Sequence, residues 1–546
     1  MESYDFIVVG GGSAGCVVAS RLTEDPDVSV CLLEAGGTDS SPLIHTPVGA
    51  VAMMPTKINN WGFETVPQPG LNGRNGYQPR GKTLGGSSSI NAMMYARGHR
   101  YDYDLWESLG NKGWSYNECL PYFKKAENNE VHHNQFHGQG GPLNVADLRS
   151  PSDLLERYLQ ACESIGVPRN HDVNGAEQVG AMPTQVTQLN GERCSAAKAY
   201  LTPSLTRPNL TVITRATTHK VLFEDKKAVG VEYGLKGQRF QIKCTKEVIL
   251  SAGAFGSPQL LMLSGIGAKE NLDVHGIPQI HDLPGVGENL QDHIDLVHSY
   301  RSSSKRDTFG VSMQMVVEMS KAVPQWITRR SGKMSSNFAE GIGFLCSESD
   351  VQVPDLEFVF VVAVVDDHAR KIHASHGFSS HVTLLRPKSI GTVKLNSADP
   401  YDAPRIDPAF FSHPEDMEIM IKGWKKQRQM LESNAFDDVR GETFYPVDET
   451  DDKAIEQDIR NRADTQYHPV GTCKMGTPDD KFAVVDSDLK VYGMSGLRVV
   501  DASIMPTLVG GNTNAPTIMI AEKVVDSIKQ QYALLKQTKT ASCEPS

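Results

Sequence analysis

Residues 4–15 read YDFIVVGGGSAG, an apolar run that ends in a glycine-rich turn. The run over 6–9 predicts a buried parallel strand, and the apolar positions after the turn predict a helix over 13–24. A second apolar run over 28–33 predicts the next strand. A strand-helix-strand unit of about thirty residues with this turn is typical of the start of a dinucleotide-binding sheet.

The residues of the turn have separate predicted tasks. Gly10 permits the tight turn, Gly12 lets a pyrophosphate approach the backbone, and Gly15 lets the helix pack closely on the strand. Ser13 and Ala14 open the helix, whose N-terminus faces the phosphate charge. The turn therefore predicts a site for a dinucleotide.

A carboxylate in the expected place supports this prediction. Glu34 ends the second strand, nineteen residues after Gly15, where it can accept hydrogen bonds from ribose hydroxyls. Its neighbour Ala35 is expected to contact the same cofactor. The acid disfavours a phosphorylated ribose, but these residues alone leave FAD and NAD as alternatives.

The composition excludes several classes of function. The 546 residues carry a formal net charge of -11, which argues against nucleic-acid binding because that needs clustered Lys and Arg. The nine cysteines include no C-x-x-C pair. The sequence therefore predicts neither a disulfide framework nor a metal site, and it favours a reducing compartment.

The sequence also lacks the features of export and of membrane spans. No basic region, apolar stretch and cleavage site follow one another at the N-terminus, and the longest apolar run, 358–365, is far shorter than the roughly 20 residues of a spanning helix. We expect a cytoplasmic protein, with peripheral contact at the inner face of the cytoplasmic membrane as an open alternative.

Four further segments carry a family resemblance. They are 81–91 (GKTLGGSSSIN), 253–267 (GAFGSPQLLMLSGIG), 468–472 (HPVGT) and 511–516 (GNTNAP). They resemble motifs of the glucose-methanol-choline (GMC) oxidoreductases, closest to bacterial choline dehydrogenases and membrane-associated aliphatic alcohol dehydrogenases. The resemblance covers nearly the whole chain, and it implies that the dinucleotide is FAD.

The family resemblance also implies a fold. We expect an α/β Rossmann-like FAD-binding domain with a second α+β substrate domain built on a largely antiparallel sheet. Strands over 248–250 and 497–500 are expected to join the sheet that begins at 6–9. The predicted segments are 1–150, 196–297 and 465–537 for the FAD-binding domain, 151–195 and 298–464 for the substrate domain, and 538–546 for a loose tail.

Further cofactor contacts follow from the resemblance. Beyond the first turn, the expected contacts are Gly81, Gly85, Gly86, Asn91, Val221, Ala252, Asp501, Ala502 and Thr513. Val221 is expected on the adenine side, and Asp501 with Ala502 near the phosphate and ribityl region. Ile90 stands where some relatives carry a histidine that binds the flavin covalently, so noncovalent FAD is expected.

Two residues are candidates for catalysis. Removing a hydroxyl proton during alcohol oxidation calls for a base with a pKa near neutrality. By the resemblance, His468 occupies the place of the family's active-site histidine, and Asn514 a place where relatives carry histidine or asparagine. Because an amide does not titrate, His468 is the predicted base and Asn514 is predicted to orient the alkoxide.

The expected reaction is the oxidation of primary aliphatic or aromatic alcohols to aldehydes, with a quinone or another electron carrier as acceptor. Choline dehydrogenase and an oxygen-using alcohol oxidase are the close alternatives, and a hydroxynitrile lyase or a fatty-acid photodecarboxylase the remoter ones. Phe358 and Phe360 predict either substrate contact or core packing. The segment 309–326 predicts an apolar lid, a membrane contact or a buried helix.

Overall fold

In the first sheet five strands pair in parallel, and two further strands, Lys227–Leu235 and Thr217–Glu224, are added by antiparallel pairing. The computed structural model describes residues 2–541, with side chains described up to residue 533. In spatial order the strands are Leu210–Thr214, Val30–Glu34, Ser3–Val9, Gln238–Leu250, Lys227–Leu235 and Thr217–Glu224, with Leu497–Val499 paired to the end of Gln238–Leu250. The four strands predicted for one sheet all lie in it, so that prediction is confirmed.

The parallel strands bring three functional positions to one edge. Val30–Glu34 is buried at every residue, as expected for a parallel strand covered on both faces. Helix Ser13–Leu22 follows the first strand and packs against the last helix of the chain. Because ligands bind at the carboxyl ends of such strands, the ends at Val9, Glu34 and Leu250 define the expected site.

The second sheet is antiparallel throughout. In spatial order its strands are Arg440–Thr443, Ile294–Ser302, Gly377–Leu384, Leu356–Val361, Ala339–Leu345 and Gly180–Pro183, with Asp464–Thr465 paired to the start of Ile294–Ser302. The predicted antiparallel sheet is confirmed.

A long helix, Pro414–Leu431, covers one face of the second sheet. An added Cβ at Gly423 would lie 2.8 Å from Val382, so the absence of a side chain there lets the helix approach the sheet. Phe358 and Phe360 are fully buried in the core on this covered face. They pack in the core and do not line the substrate cavity, which resolves the alternative left open by the sequence.

The remaining elements connect and cover the two sheets. The other helices of five or more residues are Arg100–Ser108, Tyr116–Ala126, Leu154–Ser164, Ala197–Leu201, Gly253–Leu263, Lys269–Asp273, Met313–Arg329, Asp452–Arg462 and Asn514–Ala541. The short helices are Pro42–His45, Pro47–Gly49, Ala50–Met53, Pro69–Leu71, Gly86–Ser89, Thr202–Ser204, Lys333–Ser335, Asp367–Ala369, Asn434–Phe436 and Ala502–Ile504. The short strands are Phe63–Glu64, Tyr77–Gln78, Glu127–Asn129, Leu143–Val145, Gln188–Leu189, Glu192–Arg193, Thr392–Lys394 and Arg405–Asp407.

Two helices depart from the sequence predictions. The last helix, Asn514–Ala541, continues past residue 537, where a loose tail was predicted. The rest of that tail, 542–546, lies outside the described residues. Helix Met313–Arg329 falls in the segment with three open interpretations, and it is mostly exposed rather than buried. None of the helices within residues 2–541 is both long and apolar enough to cross a bilayer.

Candidate active site

A cavity of about 1100 Å³ extends between the strand ends of the first sheet and the uncovered face of the second. Sites for small ligands commonly occupy about 300–1,000 Å³, so this space can hold a large cofactor and a substrate together. Most of the residues predicted from the sequence line it: Gly10, Gly12, Ser13, Ala14, Glu34, Ala35, Gly81, Gly86, Asn91, Ala252, His468, Asp501, Ala502, Thr513 and Asn514.

The glycine-rich turn forms one end of the cavity. Gly10 has φ +101°, and an added Cβ would lie 2.4 Å from the carbonyl oxygen of Ser251. Gly86 comes so close that its Cβ would lie 2.7 Å from Cα of Gly12. Gly15 and Gly85 do not line the cavity; a Cβ on Gly15 would lie 1.9 Å from the carbonyl oxygen of Gly10. Gly15 therefore permits helix-strand packing, and the turn itself meets the ligand.

Glu34 is held at the end of its strand by two backbone groups. Its carboxylate accepts hydrogen bonds from the amides of Gly11 at 2.8 Å and Gly36 at 2.7 Å. Burial raises the pKa of Glu34 to about 7, against the opposing effect of these hydrogen bonds and of Lys82. A carboxylate fixed in this way keeps lone pairs for the ribose hydroxyls of a dinucleotide.

Asp501 lies just after strand Leu497–Val499, at the same edge of the first sheet as Glu34. Its carboxylate accepts hydrogen bonds from the backbone amides of Gly253 and Ser503 and from the hydroxyl of Ser257, at 2.5–2.8 Å. These bonds tie the start of helix Gly253–Leu263 to the turn that holds Ala502. Gly253, Asp501 and Ala502 all line the cavity, so these bonds fix the backbone of this part of its wall.

Val221 is the residue that the sequence predicted on the adenine side of the cofactor. Val221 lies outside the cavity lining, and its N–H group donates to the hydroxyl of Ser264 at 2.9 Å. Three residues earlier on the same strand, Thr218 lines the cavity together with Ala216 and Thr217. The buried hydroxyl of Thr218 forms no hydrogen bond among the described residues, so a polar ligand edge fits there.

His468 reaches the cavity from a strained turn. The preceding Tyr467 has φ +73°, which is rare for a bulky side chain. Hydrogen bonds secure this conformation: the amide of Tyr467 donates to Thr465 at 2.7 Å, and the amide of His468 donates to Asp292 at 2.9 Å. Backbone strain of this kind persists where surrounding contacts enforce it, commonly at functional sites.

A chain of hydrogen bonds fixes the tautomer of His468. Nε2 of His293 lies 3.1 Å from the carbonyl oxygen of Leu385, which only accepts, so Nε2 donates. Burial lowers the pKa of His293 to about 3, and Nδ1 of this neutral ring must therefore accept. Nδ1 of His468 lies 2.9 Å away and donates to it. The proton of His468 is consequently on Nδ1, and Nε2 carries a free lone pair.

The charge state of His468 suits a base. Burial lowers its pKa well below the usual value, and His293 and the cation of Arg80 lower it further. A neutral imidazole can accept a proton, and this one presents its lone pair towards the cavity. The hydrogen-bonded chain from the carbonyl of Leu385 through His293 to His468 contains no charged group.

The amide next to His468 belongs to Asn512, and the predicted pairing with Asn514 is wrong. Nδ2 of Asn512 lies 3.4 Å from Nε2 of His468, whereas Oδ1 of Asn514 accepts a hydrogen bond from the hydroxyl of Ser13 at 2.8 Å. Asn514 is the first residue of the last helix, so it links two helix N-termini. Both asparagines line the cavity, but only Asn512 contacts the histidine.

The second sheet contributes a mainly apolar wall. Val359 and Val361 point to the cavity because they alternate with the core residues Phe358 and Phe360 along one strand. The apolar residues of this wall are Phe338, Ala339, Val359, Val361, Ala363, Val364 and Val365. Within residues 2–533, no strand of the second sheet adds a carboxylate to the lining.

Comparison with known proteins identifies the family. Family models described as GMC oxidoreductase match residues 4–295 and 387–521. The chain belongs to the GMC oxidoreductases. An alcohol dehydrogenase (acceptor) of Pseudomonas putida is 47% identical to this oxidoreductase over 96% of this chain and 95% of the relative. A mitochondrial choline dehydrogenase of Mus musculus is 43% identical over 98% of this chain and 90% of the relative.

Solved structures give the same result for the fold. A pyridoxine 4-oxidase from Mesorbium loti has a TM-score of 0.87 and 30% identity, covering 96% of this chain and 99% of its own. A formate oxidase has a TM-score of 0.90 and 29% identity, covering 98% and 99%. The protein is thus an FAD-dependent oxidoreductase of the GMC fold, as the sequence predicted.

The cavity fits FAD by its own geometry. The close backbone approach at Gly86, the fixed carboxylate of Glu34 and the unpaired hydroxyl of Thr218 suit the pyrophosphate, ribose and base of a dinucleotide. Sequence reasoning did not single out Asn512 and Thr218, which line the cavity, or His293, which contacts His468. The motif GNTNAP contains two asparagines two residues apart, and only the start of the helix distinguishes them.

Proposed function

We propose that this GMC oxidoreductase oxidises primary alcohols with apolar bodies to aldehydes. One observation carries the proposal: the free lone pair on Nε2 of His468 faces the amide of Asn512, 3.4 Å away, in a cavity with an apolar wall. FAD, which Glu34 and the backbone around Gly86 would hold, would supply the acceptor for the hydride of the carbinol carbon. The corresponding proton is left for the protein to remove.

Two side chains act on the alcohol oxygen. His468 accepts the hydroxyl proton at Nε2, and Asn512 donates a hydrogen bond from Nδ2 to the oxygen, whose negative charge grows as the proton leaves. Because the amide keeps one donor for the oxygen and does not titrate, it stabilises the alkoxide at every pH. His293 does not touch the substrate; it holds the proton of His468 on Nδ1.

The apolar wall favours alcohols with a hydrocarbon body. Burying a cation away from water costs free energy unless a carboxylate or an aromatic cage compensates it. Among the described residues, the strands of the second sheet place no carboxylate in the cavity lining. The rings of Phe358 and Phe360 lie in the core and do not reach the cavity. These features favour neutral alcohols over choline.

FAD is held without a covalent bond in this proposal. Ile90, which lines the cavity, packs against Ile44 and Met53 and has no nucleophilic atom. The cofactor would be retained by Glu34, by the backbone around Gly86, and by further predicted contacts at Gly10, Gly12, Ser13, Ala14, Ala35, Gly81, Asn91, Ala252, Asp501, Ala502 and Thr513.

The electron acceptor is proposed to be a quinone or another electron carrier. The alcohol dehydrogenase of Pseudomonas putida bears the word acceptor in its name, and it is 47% identical to this chain. A quinone dissolved in lipid would be reached most easily by a protein that lies on the membrane surface. We therefore also propose peripheral membrane contact.

Anaerobic stopped-flow measurement of flavin absorbance tests the substrate class. The panel contains linear primary alcohols of rising length, benzyl alcohol, choline, and 3,3-dimethylbutan-1-ol as the neutral analogue of choline. If the wall binds the hydrocarbon body, each added methylene should raise the apparent affinity about fourfold, from about 0.8 kcal/mol per buried CH₂. The neutral analogue should reduce the flavin faster than choline at equal concentration.

Two results would redirect the proposal. Faster reduction by choline than by its neutral analogue would make the protein a choline dehydrogenase. A yellow protein whose flavin no alcohol reduces would favour the non-redox or light-driven alternatives. Reoxidation of the reduced protein by a quinone or by dioxygen then identifies the acceptor.

A further inference from the structure

Helix Met313–Arg329 carries two apolar faces, and only one of them is covered. Met315 and Ala322 are buried against the protein. On the opposite side Met313, Val316 and Ile327 are 78%, 64% and 60% exposed. The spacing of the exposed apolar residues places them in one stripe. Its members on the helix are Met313, Val316, Val317, Val323 and Ile327, and the exposed Val311 lies just before the helix begins. Single exposed apolar residues are common on protein surfaces and need no explanation. A continuous apolar stripe along a helix of about 25 Å is unusual and does need one.

The charge around the stripe is opposite to that of the whole chain. The chain is acidic, with a net charge of -11, yet residues 301–335 contain seven basic and only two acidic residues. The basic residues are Arg301, Lys305, Arg306, Lys321, Arg329, Arg330 and Lys333, and the acidic ones are Asp307 and Glu318. Glu318 is paired with Lys333, while Lys305, Arg306, Lys321 and Arg329 are exposed and form no ion pair within residues 2–533.

This combination identifies the occupant by its chemistry. An amphipathic helix with an apolar face and flanking lysines and arginines lies in the interface of a bilayer, with its apolar residues about 5–10 Å deep. Anionic headgroups attract the basic residues. A second copy of the chain fits less well, because a symmetric contact would bring the cations at Lys321 and Arg329 of both copies together.

The exposed helix also lies near the cavity. Phe309, just before the helix, packs against Phe338 with ring centroids 4.6 Å apart, and Phe338 lines the cavity. After the helix, Lys333–Ser335 contacts Pro47–Gly49, and the next residues of that segment include Val51, which also lines the cavity. A bilayer on the helix would therefore lie close to the part of the cavity that Phe338 and Val51 line.

We propose that the exposed face of helix Met313–Arg329 docks the protein on a bilayer that contains anionic lipid. This inference deepens the proposed function, since it assigns the membrane contact to a defined surface. Its test is nevertheless independent of alcohol turnover, because binding to vesicles is measured without substrate.

Co-sedimentation of the FAD-loaded full chain with vesicles tests the docking surface. One set of vesicles contains phosphatidylglycerol and phosphatidylcholine, and the other phosphatidylcholine alone. We expect sedimentation with the anionic vesicles and little with the neutral ones. The apolar double variant Val316→Asp with Ile327→Asp should abolish it, and the charge variant Lys321→Glu with Arg329→Glu should weaken it at least about tenfold.

Matched variants elsewhere on the surface serve as controls. Val274→Asp with Leu205→Asp introduces the same charges at residues that are 79% and 50% exposed, and Lys227→Glu with Lys243→Glu makes the same charge reversal on the first sheet. Both controls should bind vesicles like the unchanged protein.

Three results would overturn the docking proposal. They are a failure of the unchanged protein to bind anionic vesicles, equal binding by the helix variants and their controls, and a dimer in solution that only the apolar helix variant dissociates. Anaerobic flavin reduction by an alcohol, measured on every variant, should stay normal. A loss of vesicle binding with normal flavin reduction then separates the docking surface from the catalytic site.

Discussion

Replacing His293 tests the hydrogen-bonded chain behind the proposed base. In His293→Phe the ring volume is retained, but the acceptor for Nδ1 of His468 is removed. The donor at Nδ1, 2.9 Å from its partner in the unchanged protein, is then buried without a partner. The tautomer that carries its proton on Nε2 gains in population, and in that tautomer His468 cannot accept the hydroxyl proton at the nitrogen that faces Asn512.

The size of the effect follows from the lost hydrogen bond. A buried donor without a partner costs about 1–3 kcal/mol. One factor of ten in rate corresponds to about 1.4 kcal/mol, so His293→Phe should slow flavin reduction about 5-fold to 150-fold. The change should appear mainly in the limiting rate at saturating alcohol, because His293 does not contact the substrate.

His293→Asn is the matched control. Asparagine places an amide oxygen near the position of Nδ1, so it keeps an acceptor for His468, and both variants lose the bond to Leu385. We expect anaerobic stopped-flow to give a rate for the Asn variant near that of the unchanged protein, with flavin absorbance showing equal FAD content in all three. A normal rate for the Phe variant, or equal losses in both variants, would refute the assignment of the tautomer to His293.

Three further outcomes are expected. Asn512→Ala should slow anaerobic flavin reduction about 10-fold to 100-fold, because it removes the amide that donates to the alcohol oxygen. Asn514→Ala should lower FAD retention more than the rate of reduction. A larger loss of rate in Asn514→Ala than in Asn512→Ala would instead support the pairing predicted from the sequence. Burial keeps the pKa of His468 well below 6.5, so its imidazole is neutral at all higher pH. The rate of flavin reduction should therefore be constant from pH 6.5 upwards and fall only in more acidic buffer. A pH profile of this rate with its midpoint above pH 6.5 would contradict the assignment. Since Ile90 offers no nucleophile, acid precipitation should release all the flavin into the supernatant, and yellow colour in the washed pellet would show a covalent link.

Local sequence patterns were sufficient for the nucleotide-binding end of the site. Strand, glycine turn, helix and terminal acid follow one another within the first part of the chain, and each restricts the next. Gly10 must adopt φ +101°, and Glu34 must end its strand for its carboxylate to meet the amide of Gly11. Such short-range constraints leave little freedom, which is why the turn and the acid were placed correctly.

It was harder to predict which residue of a strand or motif faces the cavity, because that depends on contacts that are distant in the sequence. Val221 and Thr218 lie on the same strand, and only the three-dimensional contacts show that the cavity meets the strand at Thr218. Asn512 and Asn514 have the same chemistry, and the helix that begins at Asn514 turns its side chain to Ser13. Two residues of one type at short spacing cannot be distinguished without the fold.

His293 shows a different limit. It lies 175 positions before His468 in the chain, on the segment that leads into the second sheet, and its role exists only because both rings meet at 2.9 Å. A sequence with 17 histidines gives no local sign of such a pair. The residue type was therefore informative only after the contact with Leu385 was known.

The hydrogen-bonded chain that runs from Leu385 through His293 to His468 is uncharged. This neutrality affects both the pKa of the base and the choice of substrate. A carboxylate in place of His293 would stabilise the protonated form of His468, raise its pKa and leave less of the base free at neutral pH. The same carboxylate would also attract a cationic alcohol into the cavity. With a neutral imidazole and a backbone carbonyl as partners, His468 remains unprotonated, and the wall around Val359 and Val361 offers no charge to a quaternary ammonium group. The features that keep the base free at neutral pH thus also favour uncharged alcohols, so a variant with an acid at position 293 should change the pH profile and the preference between choline and its neutral analogue together.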